Sequence, residues 1–242
     1  MPRKSILTVT CVAALAMACA TMGGTGGAGP EPPFEWNAAY ADSGTRLEVH
    51  ELGRRPGSGT MGTLVRYRFV ATGFTPGEDL ELWRRIGGVF EPLPASVNTD
   101  GAVILAGFSE TFTVGGFVPG EPLDVALVSQ TSGLRAHAKT IPFPIEATSA
   151  EGCTLAVEVL APSGLVFLIT LRGFDVGSTV TTVSEFGDER FEQTDTVPPA
   201  GEVKHLVKFG SGSQGKATFE ARDESCEVSL EYGVGPDAMV VQ

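Results

Sequence analysis

The sequence predicts an all-β protein that contains two antiparallel β-sandwiches in tandem. Three observations support this prediction: apolar residues alternate with polar ones, turn-forming residues recur along the chain, and one strand–turn–strand pattern occurs twice. The 31 glycines and 16 prolines among 242 residues supply the turns. No long segment shows the apolar spacing of an amphipathic helix.

The alternation is clearest where Val65, Tyr67 and Phe69 are separated by Arg66 and Arg68. This period of two is typical of an antiparallel strand with one face on a core and the other in water. The same alternation occurs at 45–50, at 80–82 and, more weakly, at 217–221.

An internal repeat organises the chain. Residues 64–83 and 165–183 share one order, in which a strand ends in Gly-Phe, a tight turn carries a further glycine, and a second strand follows. Upstream of these segments, Thr45 occupies the position that corresponds to Cys153. The conserved order of elements predicts two copies of one module.

The turn Gly-Phe-x-Pro-Gly-Glu occurs at 73–78 and at 116–121. It resembles the turn that connects strands in bacterial immunoglobulin-like modules, and about seven short strands per ~100 residues is the number expected for such a sandwich. The resemblance implies two tandem immunoglobulin-like β-sandwiches, module 1 over residues 35–146 and module 2 over residues 147–242. It implies a fold and not an activity.

The N-terminus predicts export. Arg3 and Lys4 precede an apolar run that ends in small residues, which is the order of a signal peptide over residues 1–18. Because Cys19 follows the predicted cleavage point, the segment resembles the signal of bacterial lipoproteins, whose cysteine thiol receives a diacylglycerol before cleavage. The resemblance implies that Cys19 is the lipidated end of the mature protein.

A second interpretation of the signal stays open. Lipoprotein signals usually carry Leu three positions before the cysteine, whereas Leu15 is one position early, and Ala16-Met17-Ala18 fits ordinary secretory cleavage. A membrane-spanning helix is disfavoured because the apolar run is shorter than the ~20 residues that a bilayer requires. Ala20 replaces the Asp that retains some Gram-negative lipoproteins at the inner membrane, which favours the outer membrane.

A Gly- and Pro-rich segment, residues 19–34, follows the signal. Its small side chains offer too little apolar surface to offset the entropy of ordering it. We therefore predict a flexible tether that holds the folded part away from a membrane.

The cysteines divide into three roles. Cys11 leaves with the signal, Cys153 is predicted at the start of the first strand of module 2, and Cys226 is predicted in its last strand. Those strands are commonly neighbours in such sandwiches, and an exported protein is where a disulfide persists, so we expect these two thiols to pair. The alternative is two buried free thiols. If Cys153 and Cys226 pair, Cys19 is left without a partner.

Charge and motifs argue against several function classes. The net charge of −12 opposes binding to nucleic acid and to anionic lipid headgroups. Residues 210–216 match G-x-x-x-x-G-K, but Ala217 replaces the required Ser or Thr and the following residues are strand-like. The sequence contains no recognisable catalytic or metal-binding motif around His50, His137 or His205. We therefore expect no enzyme activity and no cofactor.

Two acidic clusters are candidate calcium sites, one at Glu185, Asp188 and Glu189 and the other at Glu220, Asp223 and Glu224. Solvated loop charges are the commoner explanation, so we predict no metal site.

Aromatic residues are the remaining candidates for ligand contact. Trp36 opens module 1 and Trp83 ends a strand beside two arginines. Exposed Trp can bind a sugar or a protein partner, whereas a buried one packs the sandwich. Together these features predict a lipid-anchored envelope protein that binds or scaffolds a protein or glycan partner. The alternative is a soluble exported protein that binds a ligand such as a carbohydrate. An exported hydrolase has no motif to support it.

Overall fold

The computed structural model describes residues 8–11, 29–37, 39–57, 62–86, 89–105 and 110–239. Every strand pair within these ranges is antiparallel, and the strands form four sheets. The only helical segment described is a short 3-10 turn, Gly235–Met239. The all-β prediction is therefore confirmed. None of the described residues form a helix of the length and apolarity that crossing a bilayer requires.

The chain divides into two compact units. We call residues 29–117 with Pro122–Pro142 the N-terminal module, and Val118–Glu121 with Phe143–Gln242 the C-terminal module, which also takes in strand β1 (Thr8–Cys11). The continuous part of the C-terminal module begins at Phe143, a few residues before the predicted boundary between residues 146 and 147. The reason is that Ile145–Thr148 pairs with a strand of the C-terminal module.

Eight strands build the described part of the N-terminal module. They are β2 (Arg46–Pro56), β3 (Thr63–Thr72), β4 (Leu80–Ile86), β5 (Val89–Val97), β6 (Val103–Leu105), β7 (Phe112–Val114), β8 (Leu123–Ser129) and β9 (Arg135–Thr140). One sheet has the order β2-β3-β7 and the other has the order β6-β5-β4-β8-β9.

The C-terminal module continues the numbering. Its strands are β10 (Ile145–Thr148), β11 (Thr154–Val159), β12 (Val166–Arg172), β13 (Thr179–Phe186), β14 (Glu189–Thr196), β15 (Glu202–Lys208), β16 (Gly215–Arg222) and β17 (Glu227–Val234). The sheets have the orders β1-β15-β12-β11-β10 and β14-β13-β16-β17. Strand β1 falls within residues 1–18, whose cleavage as a signal stays a prediction.

The two modules share one topology. The order β2-β3-β7 corresponds to β11-β12-β15, and β5-β4-β8-β9 corresponds to β14-β13-β16-β17. Successive strand pairs alternate between the two sheets as in an immunoglobulin-like sandwich, so the internal repeat is confirmed. The modules differ at the strand equivalent to β15, which is continuous in the C-terminal module. In the N-terminal module the chain forms a single bridge from Ala102 to Val70, then pairs with β5 as β6, and returns to β3 as β7.

The repeated Gly-Phe turn has a steric cause. Gly73 and Gly173 have positive φ angles of 83° and 81°. A Cβ on either glycine would collide with the carbonyl oxygen of Gly44 or Gly152, respectively. Only glycine therefore allows this turn to pack against the start of the module's first strand.

A disulfide joins the residue that directly precedes β11, the counterpart of β2, to the residue that directly precedes β17, the last strand of the C-terminal module. Cys153 and Cys226 are bonded, with Cα atoms 6.3 Å apart and a sequence separation of 73. In the N-terminal module Thr45 holds the equivalent position, and its Oγ1 donates hydrogen bonds to the carbonyl oxygens of Asp42 (2.8 Å) and Arg135 (3.0 Å). One module is thus closed covalently and the other by hydrogen bonds.

We expect the paired substitution Cys153→Ala/Cys226→Ala to destabilise the C-terminal module by roughly 4 kcal/mol, because it frees a long loop in the unfolded chain. Both tryptophans of the chain lie in the N-terminal module. Urea unfolding followed by tryptophan fluorescence should therefore stay unchanged, while the transition followed by circular dichroism gains an earlier phase. Identical circular dichroism curves for both proteins would contradict the prediction.

Candidate functional site

An aromatic cluster covers the outer face of the sheet that contains β4 and β8. All seven residues of β8 are buried, so both faces of this strand are covered. On the face away from the sandwich core, Trp83, Ala126 and Val128 pack against Phe34, Trp36 and Phe90. We define the aromatic cluster as Phe34, Trp36, Tyr40, Trp83, Phe90 and His137.

The segment that precedes β2 supplies much of this cover. The predicted tether extends to residue 34, but a Cβ on Gly29 would collide with the carbonyl oxygen of Phe90. The Phe34 ring also meets Trp83 edge-on, at 5.9 Å between centroids. Residues 29–34 thus contact β4 and β5, because Phe34 has an apolar surface to bury. Residues 19–28, with Cys19 and its predicted lipid, lie outside the described residues.

The structure brings both candidate tryptophans into this cluster in different roles. Trp83 is only 5% exposed, and its Nε1 donates to Glu81 Oε2 at 2.9 Å. Trp83 therefore packs the module and offers little surface to a ligand. Trp36 is half-buried, with its ring 5.0 Å from Phe90 and 5.1 Å from His137 between centroids. Trp36 is the tryptophan that stays partly exposed, although its Nε1 is buried.

His137 lies beneath three aromatic rings. Phe34, Trp36 and Tyr40 meet its imidazole in T-shaped arrangements, with centroids 5.7, 5.1 and 6.0 Å away. Neither ring nitrogen has a hydrogen-bond partner among the described residues. Burial, with a smaller effect from the charge of Arg135, lowers the pKa of His137 to about 4. The imidazole is therefore neutral near pH 7.

Arg135 connects this cluster to the closure of the module. Its guanidinium lies 4.1 Å from the Tyr40 ring centroid and 4.8 Å from that of Phe34, which are cation–π distances. Its backbone N–H donates to Asp42 Oδ2 at 2.7 Å, and Tyr40 donates its hydroxyl to Asp42 Oδ1. The Tyr40 hydrogen bond, followed by contacts from Arg135, lowers the pKa of Asp42.

The phosphate-loop-like segment forms a turn followed by a strand. Gly215 begins β16, and Lys216 pairs with Glu231 on the adjacent strand β17. A phosphate-binding loop requires a helix at this point, whose N-terminal amides would hold the phosphate. The geometry therefore does not provide that site.

In each of the two acidic clusters, a carboxylate already forms an ion pair or hydrogen bonds within the protein. Glu185 pairs with Arg190, and Asp223 accepts hydrogen bonds from Ser178, Ser225 and the backbone N–H of Cys226. Within the part of the chain that the structure describes, no group of His, Cys, Asp and Glu has the arrangement of a metal site.

A histidine and a carboxylate lie near each other in the C-terminal core. His205 is fully buried, and its Nε2 lies 3.6 Å from Asp195 Oδ2. Ser184 is also buried, but no hydrogen bond joins it to His205 among the described residues. Burial lowers the pKa of His205, against the opposing charge of Asp195. The group lies within the core and lacks the serine–histidine hydrogen bond of a nucleophile and its base.

The sequence did not reveal the roles of Arg135 and His137. Both lie on β9, whereas Phe34 and Tyr40 come from the segment before β2. Small residues on either side of His137 gave the only local hint that the ring has room to be buried. Of the three histidines, only His50 is exposed, and it pairs with Glu48 at 2.9 Å.

No protein-family model matches this chain, and no curated protein matches it. Among solved structures, it is similar to a tetra-tandem repeat in the extending region of a large adhesion protein, with 18% identity, a TM-score of 0.27 and coverage of 81% of this chain and 49% of that one. It is also similar to a serine-rich repeat protein from Streptococcus agalactiae, with 8% identity, a TM-score of 0.27 and coverage of 80% of this chain and 92% of that one.

A third similar structure is a Ca²⁺-stabilised adhesin that helps an Antarctic bacterium bind ice. The identity is 13%, the TM-score is 0.24, and the match covers 79% of this chain and 49% of that one. This chain thus spans about half the length of two of the three structures. At these identities and TM-scores the similarities carry no argument about function.

We expect the N-terminal module to lose stability as the pH falls from about 6.5 to about 4. The pKa of His137 is lower in the folded protein, so the unfolded chain binds its proton first. Between about pH 7.5 and about pH 5 this group should remove about 2 kcal/mol of unfolding free energy. Urea unfolding followed by tryptophan fluorescence at both pH values measures it.

The substitution His137→Phe should reduce this pH dependence, whereas the exposed-site control His50→Phe should retain it. If His137→Phe follows the wild-type pH profile, His137 is not the titrating group.

We also expect Asp42→Ala to destabilise the N-terminal module by about 1–3 kcal/mol, because two buried or half-buried donors, the Tyr40 hydroxyl and the Arg135 N–H, lose their acceptor. Fluorescence-detected unfolding at neutral pH reports the change. Asp79→Ala, at an exposed carboxylate of the same module, is the matched control and should have little effect. Equal stability of the two variants would show that Asp42 does not close the module.

Proposed function

We propose that this chain is a non-enzymatic, lipid-anchored protein of the bacterial cell envelope that binds or scaffolds a protein or glycan partner. The observation that carries the proposal is the disulfide between Cys153 and Cys226. Disulfides persist in oxidising compartments and are rare in the reducing cytosol, so this bond supports export. Export agrees with the signal predicted over residues 1–18.

The anchor follows from the remaining thiol. Cys153 and Cys226 are paired, and Cys11 leaves with a cleaved signal. Cys19 then stands at the mature N-terminus, where lipoproteins carry their diacylglycerol. Ala20 at the next position supports the outer membrane as the destination.

A binding role fits the described geometry better than catalysis. The two buried histidines are enclosed by side chains, and exposed His50 has Glu48 as its partner. Trp36 stays partly exposed at the surface of the N-terminal module, where an aromatic ring can contact a sugar or fill a partner's pocket. We therefore propose Trp36, and not Trp83, as an aromatic contact for the partner.

Lipidation of Cys19 is testable directly. We expect the mature protein to partition into the detergent phase, and mass spectrometry of its N-terminal peptide to show a diacylglycerol-modified Cys19. Cys19→Ala should move the protein to the aqueous phase, whereas Cys11→Ala, which alters only the signal, should not. An unmodified Cys19 in the membrane-free fraction would replace this proposal with the soluble exported alternative.

A further inference from the structure

A groove of about 400 Å³ lies on the sheet β2-β3-β7 of the N-terminal module. This volume is within the range of roughly 300–1,000 Å³ that is usual for small-ligand sites. Its lining includes Gly53, Arg54, Arg55, Leu64, Arg66 and Thr113. Arginine therefore dominates the polar lining.

A β-bulge creates the open floor of this groove. The register between β2 and β3 shifts between Glu51 and Gly53, and Gly53 then lies opposite Arg66. A Cβ on Gly53 would meet no atom within 4 Å, so the space beside Arg66 is open. Val65 and Tyr67 point into the core, which places Arg66 on the outer face between them. Bulges commonly redirect side chains at functional positions in this way.

The arginines of this face fall into two groups. Arg54 is held in place, because it donates to both carboxylate oxygens of Glu51 (2.7 and 2.8 Å) and to the carbonyl oxygen of Pro142 (2.7 Å). Arg68 pairs with Glu110 at 3.2 Å. Arg55 and Arg66 are exposed.

Within the described residues, neither Arg55 nor Arg66 has an ion pair or a side-chain hydrogen bond. They are diagonal neighbours across the two strands, since Arg55 pairs with Leu64 and Arg66 pairs with Gly53. Diagonal neighbours on one face lie ~7–8 Å apart at their Cα atoms, which lets two long side chains reach one ligand group.

The charge around the groove is opposite to that of the whole chain. The protein has a net charge of −12, but the described lining of the groove contains three arginines and no Asp or Glu. Two neighbouring guanidinium groups repel each other when no anion lies between them. A bound anion removes this repulsion and offers each guanidinium a fork of hydrogen bonds.

We propose that this groove binds an anionic sugar unit of a polysaccharide, with Arg55 and Arg66 holding its carboxylate or sulfate. The Thr113 hydroxyl suits the sugar's hydroxyl groups, and Leu64 provides an apolar surface for the ring. The negative charge of the whole chain repels a densely charged strand such as nucleic acid more than it repels spaced sugar carboxylates. This inference rests on the proposed binding role and names its ligand class.

The test is calorimetric titration of the full-length protein with trigalacturonic acid and with its methyl ester, which lacks the charges. We expect binding of the acid only, weakened roughly tenfold or more by Arg55→Ala/Arg66→Ala. The control Arg190→Ala/Arg222→Ala removes the same charge from the C-terminal module and should leave the affinity unchanged. A sulfated galactose trisaccharide, used in parallel, shows whether the groove takes a sulfate as well as a carboxylate.

Three outcomes would overturn the proposal: no binding of either acidic sugar, equal binding of the acid and its ester, or equal loss of affinity in both double variants. A single-stranded oligonucleotide that binds more tightly than both sugars would assign the groove to phosphate instead. Because lipidation of Cys19 is measured separately, a protein that carries its lipid and binds no acidic sugar disproves the groove ligand alone.

Discussion

Both sandwiches depend on a link between their first and last strands. Backbone hydrogen bonds run within each sheet, so the two sheets of a sandwich are held together by side-chain packing and by the chain segments that cross between them. The first strand lies in one sheet and the last in the other. A link at this point therefore ties the two sheets directly, by Cys153–Cys226 in one module and by Thr45 and Arg135 in the other.

The two links differ in strength, and the N-terminal module has additional contacts at the same place. A disulfide that closes a long loop contributes roughly 4 kcal/mol, whereas one neutral hydrogen bond contributes about 1 kcal/mol. The N-terminal module adds the Asp42 carboxylate, the Tyr40 hydroxyl and the stacking of Arg135 on two rings. The segment before β2 thus both closes the module and covers the outer face of β8. His137 is neutral because it is enclosed under that cover.

Charge is organised locally in this acidic chain. Many arginines and lysines on the sheets pair with a carboxylate on the same or the adjacent strand, as Arg172 does with Glu202 and Lys216 with Glu231. Such exposed pairs contribute little stability, but they neutralise the cationic side chains that could otherwise attract an anionic ligand. The β-bulge in β2 interrupts this pattern, since Gly53 lies where a partner for Arg66 would stand. The groove is therefore a consequence of the same local irregularity that bends the strand.

Periodicity and turn chemistry in the sequence were sufficient to determine the fold class, the repeat and the positions of most strands. Alternation predicted β3, where Val65, Tyr67 and Phe69 are indeed buried, and Gly73 and Gly173 marked the turns at which a side chain does not fit. The cysteine pairing was also predictable, because the first and last strands of such sandwiches are commonly neighbours. These features depend on residues close in sequence or on a topology that recurs.

Only the tertiary structure decided which side chains meet. Thr45 reaches Arg135 across 90 residues of sequence, and Phe34 covers His137 across a similar distance, so no local pattern records either contact. The division of the counterpart of β15 into β6 and β7, and the bulge that sets Gly53 opposite Arg66, likewise depend on pairing between distant strands. A sequence specifies strands through the alternation of neighbours, whereas burial and pairing are properties of surfaces that exist only after the sheets have packed.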